Sequence, residues 1–158
     1  MKTLVLGMGN PILSDDGVGI RVAQEIQKSL ADPEVTVAEA ALGGLALLDL
    51  LPGYDRVIII DAIQTEGGKV GALYRLGVDD FAFAKHLSSP HDMNFFTALE
   101  LGARLGMAIP PEITIFAVEV EDVTTVSEEC TPNVKEAIPA CVETVLRELN
   151  TPAFGSPT

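Results

Sequence analysis

The opening stretch of the chain, residues 4–19, constrains the fold more than any other part. An apolar run, Leu4–Leu6, leads into Gly7 and Gly9. Two adjacent aspartates, Asp15 and Asp16, follow a short turn and stand just before an amphipathic pattern. This order is typical of the junction between the first strand and the first helix of an open α/β sheet, where ligands bind at the carboxyl ends of the strands. The two aspartates are therefore candidate functional residues.

Composition narrows the classes of partner. A length of 158 residues suits one domain with its own hydrophobic core, and 47% hydrophobic against 21% charged residues is typical of a compact protein. The net charge of −13 argues against binding to nucleic acid or to an anionic membrane, whereas it suits a cation. We expect no nucleic-acid partner, no membrane association and, by default, a monomer.

The sequence favours a cytoplasmic protein. No apolar run is long enough to span a membrane, and Met1–Thr3 leads directly into a strand without a secretion signal. The two cysteines, Cys130 and Cys141, form no disulfide framework, which is consistent with a reducing compartment. We expect Cys141 to pack inside a helix and Cys130 to have no particular role.

Hydrophobic periodicity predicts alternating strands and helices. The predicted strands are Lys2–Met8, Val35–Ala38, Arg56–Ala62, Val70–Leu76 and Glu112–Val118. The predicted helices are Gly17–Leu30, Leu45–Leu51, Met93–Leu105 and Pro132–Leu149, the last capped by Thr131. This order indicates an α/β, Rossmann-like three-layer sandwich, with a mostly parallel five-stranded sheet, one antiparallel edge strand and helices on both faces. Residues 1–150 are expected to form one domain and residues 151–158 a flexible tail.

This topology brings three distant side chains to one edge of the sheet. Asp16 follows the first strand, Asp61 ends the most β-branched strand, and His91 precedes the helix that must return across the sheet. The carboxyl ends of parallel strands share an edge, called here the carboxyl edge, so two carboxylates and one imidazole should converge there. Such oxygen and nitrogen ligands suit a divalent transition metal with open coordination positions.

Each of these residues also has a simpler interpretation. Asp15 is expected to cap the first helix, because helix amino termini favour negative charge, and Asp61 is equally suited to cap a turn. His86 is expected to cap a helix or to lie on the surface. A dinucleotide site is disfavoured, because Ile12 replaces the third glycine of G-x-G-x-x-G and the aspartates would repel a pyrophosphate. Metal-assisted chemistry is therefore the leading prediction.

Several motifs resemble those of one known family. Gly7-Met8-Gly9-Asn10 together with Asp15-Asp16-Gly17-Val18-Gly19 resembles the opening signature of the hydrogenase maturation endopeptidases. Ile60-Asp61-Ala62 resembles the central aspartate strand of that family, and Ser89-Pro90-His91 resembles its histidine motif. Thr131-Pro132-Asn133-Val134 resembles the start of its final helix. The motifs occur in the family's order along nearly the whole chain.

The resemblance implies a cytoplasmic endopeptidase that removes a short C-terminal extension from a nickel–iron hydrogenase large-subunit precursor after nickel insertion. It implies that Asp16, Asp61 and His91 bind the metal and form the catalytic site, without assigning a role to each. It also implies that the nickel is carried by the precursor and that the enzyme has no tightly bound cofactor of its own.

One loop departs from the family pattern. After its second strand the family often has an acidic residue followed by Gly-Gly-Thr, whereas this chain reads Glu39-Ala40-Ala41-Leu42-Gly43-Gly44. We expect this difference to affect which precursor is recognised more than it affects metal binding. Three alternatives stay open at this point. They are a peptidase that holds its own zinc or manganese ion, a non-catalytic nickel-binding chaperone, and a structural binding module with neither property.

Overall fold

The sheet has the predicted architecture. The computed structural model describes residues 1–41, 47–81, 83 and 94–151. Its strands are β1 (Thr3–Met8), β2 (Val35–Ala40), β3 (Arg56–Ile63), β4 (Leu73–Leu76) and β5 (Glu112–Glu119), and they form one sheet in the order β2-β1-β3-β5-β4. Every neighbouring pair is parallel except β4 with β5, so the antiparallel strand lies at an edge. The predicted fold class is confirmed.

Helices cover both faces of this sheet. They are α1 (Val18–Ser29), α2 (Leu47–Leu50), α3 (Asn94–Arg104) and α4 (Pro132–Leu149), and a 3-10 turn, Ser14–Gly17, precedes α1. None of the helices in the described part of the chain is long and apolar enough to cross a lipid bilayer.

Successive side chains of a strand point to opposite faces of the sheet, so the core is divided into two clusters, one on each face. Ile59 of β3 packs with Leu99 of α3 and with residues of α2 on the first face. Ile58 packs on the second face with Val22 of α1 and Val145 of α4. Both central strands, β1 and β3, are buried along their whole length, as expected for parallel strands between two layers of helices.

The observed elements differ from the predicted ones mainly at their ends. Strand β3 continues to Ile63, whereas β4 starts only at Leu73. Gly71 interrupts the predicted edge strand with a φ of 92°, a left-handed conformation that suits glycine. Cys141 is 1% exposed on α4, which confirms its predicted packing. Residues 42–46, His86 and the predicted tail from residue 152 lie outside the described residues.

Arg56 at the start of β3 has a role that the sequence did not suggest. Its side chain is buried, and its guanidinium donates hydrogen bonds to the main-chain carbonyls of Glu148 (3.2 Å), Leu149 (3.2 Å) and Thr151 (3.0 Å). Carbonyls at a helix carboxyl terminus lack partners within the helix and carry the negative end of its dipole. Arg56 therefore anchors the end of α4 to the sheet.

We expect Arg56→Met to lower the free energy of unfolding by about 1.5–3 kcal/mol, because the part-buried carbonyls of Leu149 and Thr151 lose the hydrogen bonds that the guanidinium donates. The matched control is Arg75→Met. Arg75 pairs with Glu148 at 2.5 Å on the same helix, but its side chain is 61% exposed. An exposed ion pair contributes about 1 kcal/mol or less. Urea unfolding followed by circular dichroism measures both changes, and equal losses would contradict the anchoring role of Arg56.

Candidate active site

The segment that carries Asp16 is packed against the carboxyl edge of the sheet. A Cβ atom added to Gly19 would lie 2.1 Å from the carbonyl oxygen of Ile60 in β3 and 2.6 Å from that of Met8 in β1. The start of α1 therefore rests directly on the ends of these two neighbouring strands. Asp61 follows Ile60, so the turn before α1 and the end of β3 present their aspartates at the same edge.

Asp16 presents a partly free carboxylate. Its side chain is half-buried, and its Oδ2 accepts a hydrogen bond from the main-chain N–H of Asn10 at 2.9 Å. Within the part of the chain that the structure describes, Oδ1 has no hydrogen-bond donor. Gly9 makes this fold of the loop possible, because its φ is 136° and a Cβ there would lie 1.9 Å from the main-chain oxygen of Asp16. A ligating carboxylate needs this combination of one fixed and one available oxygen.

Asp61 lies at the end of β3 and is 6% exposed. Its neighbours at alternate positions, Ile59 and Ile63, pack in the cluster covered by α2 and α3, so the Asp61 side chain projects toward the same face. One carboxylate oxygen accepts a hydrogen bond from the main-chain N–H of Ala62 at 2.8 Å. This face is the one onto which the chain folds after residue 91.

The predicted third ligand, His91, lies outside the described residues. Among the residues that are described, no group of three or more histidine, cysteine, aspartate or glutamate side chains is placed to hold a metal ion. The structure thus puts Asp16 and Asp61 at one edge, and the complete three-residue site stays a prediction.

Asp15 does not cap the first helix, and that prediction was wrong. The N-cap of α1 is Gly17. Asp15 is fully buried, and its carboxylate instead accepts hydrogen bonds from the main-chain N–H groups of Glu121 (3.2 Å), Asp122 (3.1 Å) and Thr131 (2.6 Å). These donors belong to the segment between β5 and α4, which is distant in sequence. Local spacing around Asp15 therefore carried no sign of them.

Thr131 is the partner of Asp15 at the start of α4. As predicted, it occupies the N-cap position and Pro132 is the first helical residue. Its hydroxyl, however, donates to the Asp15 carboxylate at 2.8 Å and makes no hydrogen bond to the helix. Asp15 consequently places a negative charge at the amino end of α4, where the helix dipole stabilises it.

The two cysteines do not provide a nucleophile. Cys130 is half-buried, and burial together with the nearby Asp15 carboxylate raises the pKa of its thiol. Burial alone raises the pKa of Cys141 to about 12. Because the thiolate is the reactive form, both side chains are poor nucleophiles at neutral pH. The raised thiol pKa values therefore give no support to a mechanism based on a cysteine nucleophile.

Glu119 is a further buried carboxylate at this edge, in addition to Asp15 and Asp61, and it was not predicted from the sequence. It ends β5, is 2% exposed and lies on the same face as Asp61. Its carboxylate accepts hydrogen bonds from the main-chain N–H of Thr65 at 2.7 Å, from the Thr65 hydroxyl and from the Tyr74 hydroxyl at 3.0 Å. Thr65 thereby ties the loop after β3 to the end of β5, and Tyr74 adds a contact from β4. The sequence feature that could have revealed this role is a glutamate at the end of an otherwise apolar strand.

Comparison with known proteins identifies the family. The family model described as hydrogenase maturation protease matches residues 20–148. The chain is 31% identical over 152 residues to hydrogenase expression/formation protein HupD of Rhizobium leguminosarum bv. viciae, covering 94% of this chain and 74% of that protein. It is 28% identical over 151 residues to hydrogenase 2 maturation protease of Escherichia coli, covering 94% and 91%.

A solved structure supports the same relationship. Hydrogenase maturating endopeptidase HybD from Escherichia coli superposes with a TM-score of 0.84 at 26% identity, covering 95% of this chain and 93% of that one. The family model covers most of the chain, and each of these relatives covers more than nine-tenths of it. The chain therefore belongs to the hydrogenase maturation protease family.

Proposed function

We propose that this protein is an endopeptidase that removes the C-terminal extension of a nickel–iron hydrogenase large-subunit precursor after nickel insertion. Its membership of the hydrogenase maturation protease family supports peptidase activity on such a precursor. The observation that carries the proposal is the packing of Gly19 against Ile60, which sets Asp16 beside the strand end that bears Asp61. We expect the enzyme to act as a monomer in the cytoplasm.

In this proposal Asp16, Asp61 and His91 contact the nickel of the precursor. Asp16 has an oxygen available for a ligand, and Asp61 faces the layer that α3 belongs to. Helix α3 must return the chain to the amino end of β5. The helix therefore begins toward the carboxyl edge, and His91 precedes this beginning in the sequence. Two carboxylates and an imidazole suit a divalent nickel ion that still has other ligands from the precursor.

Contact with the nickel would place the scissile peptide bond beside the two carboxylates. One carboxylate accepts a proton from a water molecule, whose oxygen adds to the peptide carbonyl carbon. The carbon–nitrogen bond then breaks, and the proton passes to the leaving amine. Holding the reactants together in this way accounts for a large part of the rate enhancement. The nickel therefore acts as a recognition mark of the substrate that positions the bond.

We expect His91→Ala to lower the cleavage of nickel-loaded precursor by at least about 10–100-fold, because loss of a mere hydrogen-bond partner of a metal ligand already weakens metal binding by that amount. His86→Ala is the matched control and should cleave normally, since His86 is the other histidine of the chain. Mass spectrometry of the precursor measures tail removal. We also expect the parent enzyme to leave nickel-free precursor uncut. Unimpaired tail removal by the His91 variant would contradict the assignment.

Two alternatives give different results in the same experiments. A peptidase with its own zinc or manganese would carry stoichiometric metal after purification, whereas the proposed enzyme would carry little. A non-catalytic nickel chaperone would bind the metal but would not shorten the precursor. Metal analysis of the purified protein and the cleavage assay therefore separate the three functions.

A further inference from the structure

We infer that Asp15 is a positioning residue, which fixes the Asp16 carboxylate by clamping residues 12–16 to residues 120–131. This inference rests on the proposed function, in which Asp16 contacts the substrate nickel. The two segments together are called the clamp below. Asp15 itself is fully buried and is directed away from solvent, so it acts on the substrate only through its neighbour.

The Asp15 carboxylate is the centre of the clamp. Its Oδ2 accepts hydrogen bonds from Glu121 N at 3.2 Å, Asp122 N at 3.1 Å and the Thr131 hydroxyl at 2.8 Å. Its Oδ1 accepts one from Thr131 N at 2.6 Å. The Asp15 N–H in turn donates to the carbonyl of Asp122 at 2.9 Å. The donors of Glu121, Asp122 and Thr131 all require an acceptor at position 15, which a carboxylate supplies on both oxygens.

Backbone hydrogen bonds extend the clamp toward the start of the turn. Ser14 N donates to the carbonyl of Ser127 at 2.9 Å, and Ser127 N donates to that of Ile12 at 2.9 Å. The Arg21 guanidinium supports the clamp from outside, because it donates to the carbonyl of Pro11 (3.1 Å), which precedes the first segment, and to that of Glu128 (2.8 Å) in the second. The turn before α1 is thus held from one side by the segment after β5.

Ser14 shows that the clamp imposes a specific backbone conformation. Its φ is 49°, a left-handed value that non-glycine residues rarely adopt. Such a conformation persists only when surrounding contacts determine it, and such residues cluster at functional sites. Ser14 is 5% exposed, and its hydroxyl donates to the carbonyl of Glu129 at 3.1 Å. Asp16 follows two residues later, so its direction depends on this turn.

The test uses Asp15→Asn, which keeps the shape of the side chain but replaces one acceptor oxygen by an NH₂ donor. Since N–H and O–H donors face both oxygens, the amide must place donor against donor on one side. Val145→Ala is the matched control, because it removes buried volume from α4 at a site in the helix–sheet core, outside the clamp. Thr131→Val and Thr131→Ser form a second pair, which removes or keeps the hydroxyl that donates to Asp15.

The measured quantity is the Ni²⁺ concentration that broadens the NMR signals of Asp16 and its neighbours in the protein alone. We expect this concentration to rise about tenfold or more in Asp15→Asn, as found when a partner of a metal ligand is replaced. It should rise less in Thr131→Val and stay unchanged in Thr131→Ser and Val145→Ala. Precursor cleavage, measured below the unfolding temperature of each variant, should follow the same order.

Equal Ni²⁺ responses of the parent and Asp15→Asn would overturn the inference. It would also be overturned if the Asp16 signals of the parent protein did not change when Ni²⁺ is added. If Asp15→Asn does not fold, the two Thr131 variants test the inference instead. Identical Ni²⁺ responses of Thr131→Val and Thr131→Ser would then overturn it. A parent that leaves the precursor uncut, but whose Ni²⁺ response depends on Asp15, would refute the proposed peptidase function and keep the positioning role.

Discussion

Asp61→Asn should leave the fold intact and lower the rate of precursor cleavage by about 10²–10⁴-fold, the range contributed by a general acid or base. The asparagine retains an oxygen that accepts the Ala62 N–H, which in the parent lies 2.8 Å from the carboxylate. It lacks the negative charge needed to bind a divalent ion or to accept a proton. Mass spectrometry of the precursor measures the rate, and thermal unfolding checks that the variant is folded.

Glu119→Gln is the control for this experiment, because it makes the same chemical change on the same face and edge. Three donors from Thr65 and Tyr74 converge on the Glu119 carboxylate, and a glutamine can keep all three paired, because its oxygen accepts the Thr65 N–H while its NH₂ group donates to the two hydroxyl oxygens. We expect a stability loss of about 1 kcal/mol and cleavage within a few-fold of the parent. If Glu119→Gln stopped cleavage while staying folded, Glu119 would belong to the reacting site. Normal cleavage by Asp61→Asn would remove Asp61 from it.

Gly19→Ala should lower the free energy of unfolding by about 3 kcal/mol or more, at the upper end of overpacking effects. Helix propensity alone would favour alanine by about 1 kcal/mol. The steric clash outweighs this gain in stability, because the new Cβ would lie 2.1 Å from the Ile60 carbonyl oxygen and 2.6 Å from that of Met8. Both are main-chain atoms of buried central strands, so α1 must move instead. Asp16 would move with it, and cleavage should fall as well.

Gly77→Ala is the matched control for this glycine. The nearest atom to an added Cβ there is Asp80 Oδ2 at 4.0 Å, so we expect a change within about 1 kcal/mol. Denaturant unfolding of both variants measures the difference between them. A Gly19 variant as stable as the Gly77 variant would show that α1 does not rest tightly on the strand ends.

The sheet and the placement of two site residues were predictable from the sequence. Buried parallel strands are easy to recognise in a sequence, because only apolar and β-branched side chains suit both faces, as in Val57–Ile60. Once β1 and β3 are parallel neighbours, Asp16 and Asp61 must come to the same edge. The position of His91 was deduced in the same way and stays a prediction.

The roles of Asp15, Arg56 and Glu119 were not predictable, because their partners are distant in sequence. Asp15 bonds to Thr131 across 116 positions, Arg56 to Leu149 across 93, and Glu119 to Thr65 across 54. Charged side chains of this kind are mostly exposed in proteins, so exposure was the reasonable default. Only the three-dimensional fold shows that each is buried and joins two elements.

The main-chain hydrogen bonds that join Ile12 and Ser14 to Ser127 also decide when the turn before α1 can take its final form during folding. Contacts between such distant parts of a chain require closure of a long loop, and they form slowly. During synthesis β1, β2 and β3 leave the ribosome well before residues 120–131, so Asp16 cannot take its final direction while the chain is unfinished. The turn that carries Asp16 is therefore completed only after residues 120–131 have been made, and a nascent or truncated chain has this carboxylate without the support that aims it.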